Sequence, residues 1–139
     1  MKKPHISHSI FRIAQHILQL ATCNWQFIIL LLLWVLFFWR FFTPWEADRV
    51  MFPEGDFTHH YYVYRSFAYD ELRAGRFPLW WPGVFSGYPF QADPQSALFY
   101  PPAMLVMLFC LMLGLPHFPL TALEAEAALH ILAASFFTY

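Results

Sequence analysis

One stretch limits what this chain can become more than any other. From Trp25 to Trp39 the only polar side chain is Gln26, and Phe41 and Phe42 carry the apolar run past Arg40. A helix needs about 20 mostly apolar residues to cross a bilayer, and Ile17, Leu18, Leu20 and Ala21 extend the run on its amino side. A cleaved signal peptide has an apolar region of about 7–15 residues ending in a small-x-small site. Here the run is longer and ends in Phe-Phe-Thr-Pro-Trp. The expectation is a retained transmembrane anchor over residues 25–42. Arg40 then snorkels to the headgroups, and Trp39 and Trp45 sit in the interfacial belt.

Composition agrees. Of 139 residues, 59% are hydrophobic and 12% charged, where a soluble domain carries about 25% charged residues. Seventeen Phe and 22% aromatics exceed what a core of this size can hide, so lipid is the expected solvent. Eight basic residues against nine acidic ones leave nothing to attract nucleic acid. Cys23 and Cys110 form no metal spacing and no disulfide framework.

The first 24 residues contain Lys2, Lys3 and Arg12 and no acid. The positive-inside rule therefore puts segment 1–24 in the cytoplasm and residues 43–97 outside a plasma membrane. A second apolar run, 98–115, carries Pro101-Pro102 in its first turn and ends at Pro116. It reads as a second span or a re-entrant helix. A third helix, 121–139, opens with Glu124 and Glu126, where acids favour the positive helix end. Only about one span-length follows Thr121, so a truncated piece is expected. The fold class expected is an all-α membrane protein: the N-terminal part of a polytopic helical bundle with amphipathic helices in a large first external loop. The missing spans would be its partners, and the piece alone is expected to be inactive.

Residues 45–100 hold eleven of the seventeen charges together with many aromatics. Such a mixture is too polar to span and too aromatic for a floppy linker. Phe57, Tyr61, Tyr64, Ala68 and Leu72 fall on one helical face, with Asp56 as N-cap and Gly75 as the stop, which predicts a helix over 57–74. An irregular stretch with Pro78, Pro82, Gly83, Gly87, Pro89 and Pro94 follows.

Several pieces of this loop resemble the first external loop of the YfhO-like bacterial membrane proteins. They are Pro53-Glu54-Gly55-Asp56, Tyr61-Tyr62, Leu72-Arg73-Ala74-Gly75-Arg76-Phe77-Pro78-Leu79-Trp80, Ser86 through Ala97, and Phe99-Tyr100-Pro101-Pro102. One departure is Trp81, where an asparagine is expected before Pro82. That family is similar to the GT-C class of glycosyltransferases. The resemblance implies sugar transfer from a polyprenyl-phosphate donor to a cell-envelope acceptor, with an acidic residue of the first external loop at the active site. Asp56 occupies that position, and Asp93 is a second acid from the same loop.

Transfer from a lipid phosphate needs an acceptor hydroxyl to lose a proton, and a carboxylate can take it. It can instead hold a divalent ion at the leaving phosphate. Asp56 suits either role and also plain helix capping. Asp93 suits a second carboxylate or an Asx-type turn before Pro94. Asp56 and His60 form a candidate metal pair, with the divalent cation as the one cofactor in view. Arg65 is a candidate phosphate ligand or a surface charge, alongside Arg73 and Arg76, facing Asp70 and Glu71. Tyr61, Trp80 and Gln95 complete the substrate-binding set, with Trp80 either stacking on substrate or anchoring at the interface. Two other functions fit the same features: a transporter or flippase of lipid-linked glycans, and a non-catalytic assembly subunit.

Overall fold

The computed structural model describes residues 25–138; segment 1–24, with the orientation argument drawn from it, and Tyr139 lie outside the described residues. Everything described is helix, turn or loop. The closest approach to a strand is a single antiparallel bridge between Trp81 and Tyr88.

Helix α1 runs Trp25–Phe42, α2 Tyr62–Arg73, α3 Pro101–Met112 and α4 Leu120–Thr138. A π-helical turn, Phe57–Tyr61, leads into α2. Two of these helices, α1 and α4, are long and apolar enough to cross a membrane by length and composition. The 98–115 run is shorter as a helix than its apolar length suggests. Its 12 residues rise about 18 Å, well short of the ~30 Å of bilayer hydrocarbon. Two local features set its ends. Pro101 and Pro102 occupy the first turn. At the other end Gly114 (φ 66°) takes the left-handed position, with Gly114 N–H donating to Leu111 O and Leu115 N–H to Cys110 O. Those two bonds are a Schellman stop. Gly75 (φ 74°) ends α2 in the same way, through bonds from its own N–H to Leu72 O and from Arg76 N–H to Glu71 O.

The described chain divides into two compact units, residues 25–39 with 131–138, and residues 40–130. In the first, Phe27 and Phe136 meet edge-on at 5.3 Å, and Trp34, Phe37 and Phe38 stack along one side of α1.

The second unit has its own core: Ala68, Tyr69, Phe90, Leu98, Met107, Cys110, Phe118 and Leu123. Each large apolar member contributes about 1.5–3 kcal/mol of burial. Tyr69 is fully buried, and its hydroxyl lies 2.7 Å from Leu115 O and 3.2 Å from Cys110 O. Tyr62 donates to Phe118 O and Arg73 to Pro116 O. One face of α2 thereby satisfies the carbonyls that end α3 and form the α3–α4 turn.

The other face of α2 carries the irregular loop. Phe67 stacks on Trp81 at 4.7 Å and 11°, and Tyr64 and Phe90 close the cluster. Trp81, the departure from the resembled pattern, is thus a packing residue here. Between Trp81 and Tyr88 the chain reverses through Phe85 (φ 49°) and Ser86 (φ 61°), with Gly87 N–H donating to Val84 O. Gly87 (φ 124°) lies under the Trp80 indole, whose Nε1 would stand 2.7 Å from a Cβ at that position. Only glycine fits there.

Candidate functional site

The site starts from the turn that opens α2. Asp56 is exposed, has helical dihedrals (φ −58°, ψ −30°) and makes no capping bond. The capping expectation is corrected: no side-chain cap bond forms there, and the Thr58 hydroxyl instead ties the N–H and the carbonyl of Gly55. A π turn is wider than an α turn, so the four-residue step from Asp56 to His60 loses its α-helical alignment. His60 Nε2 instead donates to Gln95 Oε1 at 2.8 Å. Among the described residues no group of three His, Cys, Asp or Glu side chains could hold a metal ion. Asp56 and His60 therefore lack a third donor, and a divalent cation does not fit this pair.

The next turn of the helix faces inward. Arg65 is 6% exposed, and its Nη2 lies 3.1 Å from Glu126 Oε1 on α4. Its Nη1 donates to Ser96 O and Ala97 O, both at 3.3 Å. The surface-charge reading of Arg65 is therefore corrected. Burial pulls the guanidinium pKa down and Glu126 pulls it back up, and a guanidinium stays charged throughout. Removing one partner of such a pair costs about 3–5 kcal/mol, because the other is left buried and uncompensated. The surface reading does hold for Arg76, whose guanidinium forms a fork on Glu71 at 2.8 and 2.6 Å.

Beside the Arg65–Glu126 pair lies a cavity of about 510 Å³. Tyr61, Arg65 and Gln95 all line it, so three of the four expected substrate-binding residues converge there. The fourth, Trp80, is 56% exposed and elsewhere, over Gly87. Phe57, the neighbour of Asp56, forms part of the wall, while Asp56 itself does not. His130 closes the far side: its Nδ1 donates to Glu126 O at 2.6 Å and its Nε2 pairs with the Tyr100 hydroxyl.

Asp93 takes the turn role. Its Oδ1 accepts from Gln95 N–H at 2.8 Å and its Oδ2 from the Tyr88 hydroxyl at 2.6 Å. Burial pushes this carboxyl up, but hydrogen bonds from Tyr88, Gln95 N–H and Tyr64, with the field of His60, outweigh it and hold its pKa below the ordinary value. The same contact, with burial and Tyr64 behind it, raises the Tyr88 phenol well above its usual range. A carboxylate held this way is a poor proton acceptor. Asp93 orders the Pro94–Ser96 turn that presents Gln95 to the cavity.

Known protein families, curated proteins and solved structures offer no match to this chain. The site stands on its own geometry. That geometry adds Glu126, Tyr100 and His130 to the expected residues, while Glu124, the other buried acid of α4, does not line the cavity. Glu124 Oε1 accepts from Phe52 N–H at 3.3 Å, and neither Glu124 Oε2 nor Glu126 Oε2 has a hydrogen-bond partner among the described residues. A bare buried oxygen costs about 1–3 kcal/mol. Both acids stand in a mostly apolar helix long enough to cross a membrane, a setting in which ionisable residues are rare and costly. They read as first-turn acids serving the helix dipole, and that reading hid them.

Proposed function

We propose that this chain is part of a multi-pass plasma-membrane protein of the YfhO-like kind, with its amino terminus in the cytoplasm. On this reading it transfers a sugar from a polyprenyl-phosphate donor to a cell-envelope acceptor. The observation that carries the proposal is the convergence of Tyr61, Arg65 and Gln95 on one cavity, beside a helix long and apolar enough to cross a membrane. The resembled motif pieces supply two of these three, Tyr61 and Gln95. Asp56 is the candidate base. It precedes a wall residue of the cavity, and its carboxylate is exposed and uncommitted to any cap. A general base of this kind contributes about 10²–10⁴ in rate.

A second reading, export of a lipid-linked glycan, draws support from Glu124 and Glu126 on α4, since transporters place polar groups within their spans. Asp56→Asn, made in the full-length protein in its own membrane, separates the two. The sugar-transfer reading expects lost envelope glycosylation at normal membrane level. Unchanged glycosylation would remove Asp56 as base. Labelling of a cysteine placed beside Asp56 tests the topology, and reaction only from the cytosolic side would remove the donor from reach.

A further inference from the structure

We infer that Glu126 is the residue of this cavity that takes a sugar hydroxyl, with its bare Oε2 as the acceptor; the inference rests on the sugar-transfer reading above. The carboxylate is more than nine-tenths buried, at 7% exposure, and it lines the cavity. One oxygen is held by Arg65, and the other has no partner among the described residues. A buried acceptor with nothing to accept from is a rare state in a folded protein, and a ligand is one thing that resolves it.

The surroundings select the class of ligand. Arg65 and Glu126 cancel in charge, and His130 is committed to Glu126 O and Tyr100. An anion is repelled by the Glu126 carboxylate, and a cation by Arg65. A neutral hydrogen-bond donor meets neither objection. Phe57, Tyr61 and Tyr100 add aromatic surface to the wall, which suits the apolar C–H face of a pyranose. Gln95 adds an amide. A neutral polyol with one flat apolar face fits all of these. Glu126 Oε2 is closed off from solvent in this conformation, so a ligand reaches it by parting the wall. Tyr61, 42% exposed with no hydrogen bond from its hydroxyl among the described residues, is the wall residue best placed to yield.

The test uses the full chain in lipid nanodiscs, with glucose, galactose, mannose and N-acetylglucosamine as probes and inorganic phosphate as the anionic control. Saturation-transfer NMR should detect at least one of the sugars and no phosphate. Glu126→Gln, with helix content unchanged by circular dichroism, should weaken that sugar about tenfold, the worth of one good hydrogen bond to a charged acceptor. Glu71→Gln, at the exposed pair with Arg76, should leave it unaltered. No sugar bound by the unmodified chain, preferential phosphate binding, or equal affinity in Glu126→Gln would each overturn the inference. Should Glu126→Gln fail to fold, Tyr61→Ala, which removes one of the aromatic walls, takes its place: several-fold weaker binding supports the site, and unchanged binding overturns it. Envelope glycosylation is scored separately. Glu126-dependent sugar binding in a protein without transfer activity sinks the transfer reading and keeps the site. Transfer that needs Asp56, with sugar binding indifferent to Glu126, sinks only the site.

Discussion

The turn that opens α2 and the face one turn further on carry charged residues of opposite fate. Asp56 is exposed, uncapped and without a hydrogen-bond partner among the described residues. Arg65, nine residues on, is buried, ion-paired and bonded to two carbonyls. The first residue drew attention through a motif and the second through what surrounds it. The difference teaches which kind of role each can have. A residue that holds the fold is tied down on every side, and a residue that acts on a substrate keeps its valences open. Changes at Arg65 should therefore be read in stability, and changes at Asp56 in chemistry.

The largest expected effect follows directly. Arg65→Ala strips the Glu126 carboxylate of its only partner among the described residues and releases Ser96 O and Ala97 O. It should destabilise the 40–130 unit by about 3–5 kcal/mol, read by denaturant unfolding in detergent. A loss below about 1 kcal/mol, the range of exposed pairs, would break the comparison by making Arg65 a surface charge after all.

Next comes the loop on the opposite face of α2. Gly87→Ala forces a Cβ into the Trp80 indole at a backbone angle that side chains rarely adopt. About 1–3 kcal/mol should be lost, with Trp80 fluorescence shifted because its ring must move. An unshifted spectrum with full stability would mean that Trp80 does not lie over Gly87.

How much of this was legible beforehand depends on the range of the interaction. The α1 helix follows from a nearly unbroken apolar run, α4 from a mostly apolar one, and the end of α2 from Gly75, because each is decided within a few residues. The Asp93 turn was legible for the same reason, since Asp before Pro94 needs only its own neighbours. Arg65 was not. Its partner stands 61 positions away, and nothing local distinguishes it from Arg73 or Arg76. The buried face of α2 shifted with it: Tyr61 was expected inside and is exposed, while Arg65, Ala68 and Tyr69 are buried. The π turn upstream changes the angular step at Tyr61, and helical periodicity read at 3.6 residues per turn cannot see it. The length of α3 was hidden by its composition, because the apolar run outlasts the helix at both ends.

The third effect is smaller and depends on pH. Asp93 has a folded pKa below its unfolded one. Its hydrogen bonds therefore stabilise the loop above about pH 4, the unfolded carboxyl value. That contribution should fade as pH falls further, through the depressed folded value. Asp93→Asn should flatten this acid limb, compared by thermal unfolding between pH 6 and pH 3. Equal acid sensitivity in the variant would assign the limb to another carboxylate and leave Asp93 as exposed as Asp56.

The smallest effect sharpens the comparison most. Asp56→Asn removes an exposed charge that caps nothing. Stability should stay within about 0.5 kcal/mol, as for surface substitutions generally. If unfolding instead shifts by more than about 1 kcal/mol, the carboxylate is stabilising the helix end through its dipole, and Asp56 joins Arg65 on the structural side. Only an Asp56 that is neutral for folding and needed for transfer is consistent with a carboxylate kept for its chemistry alone.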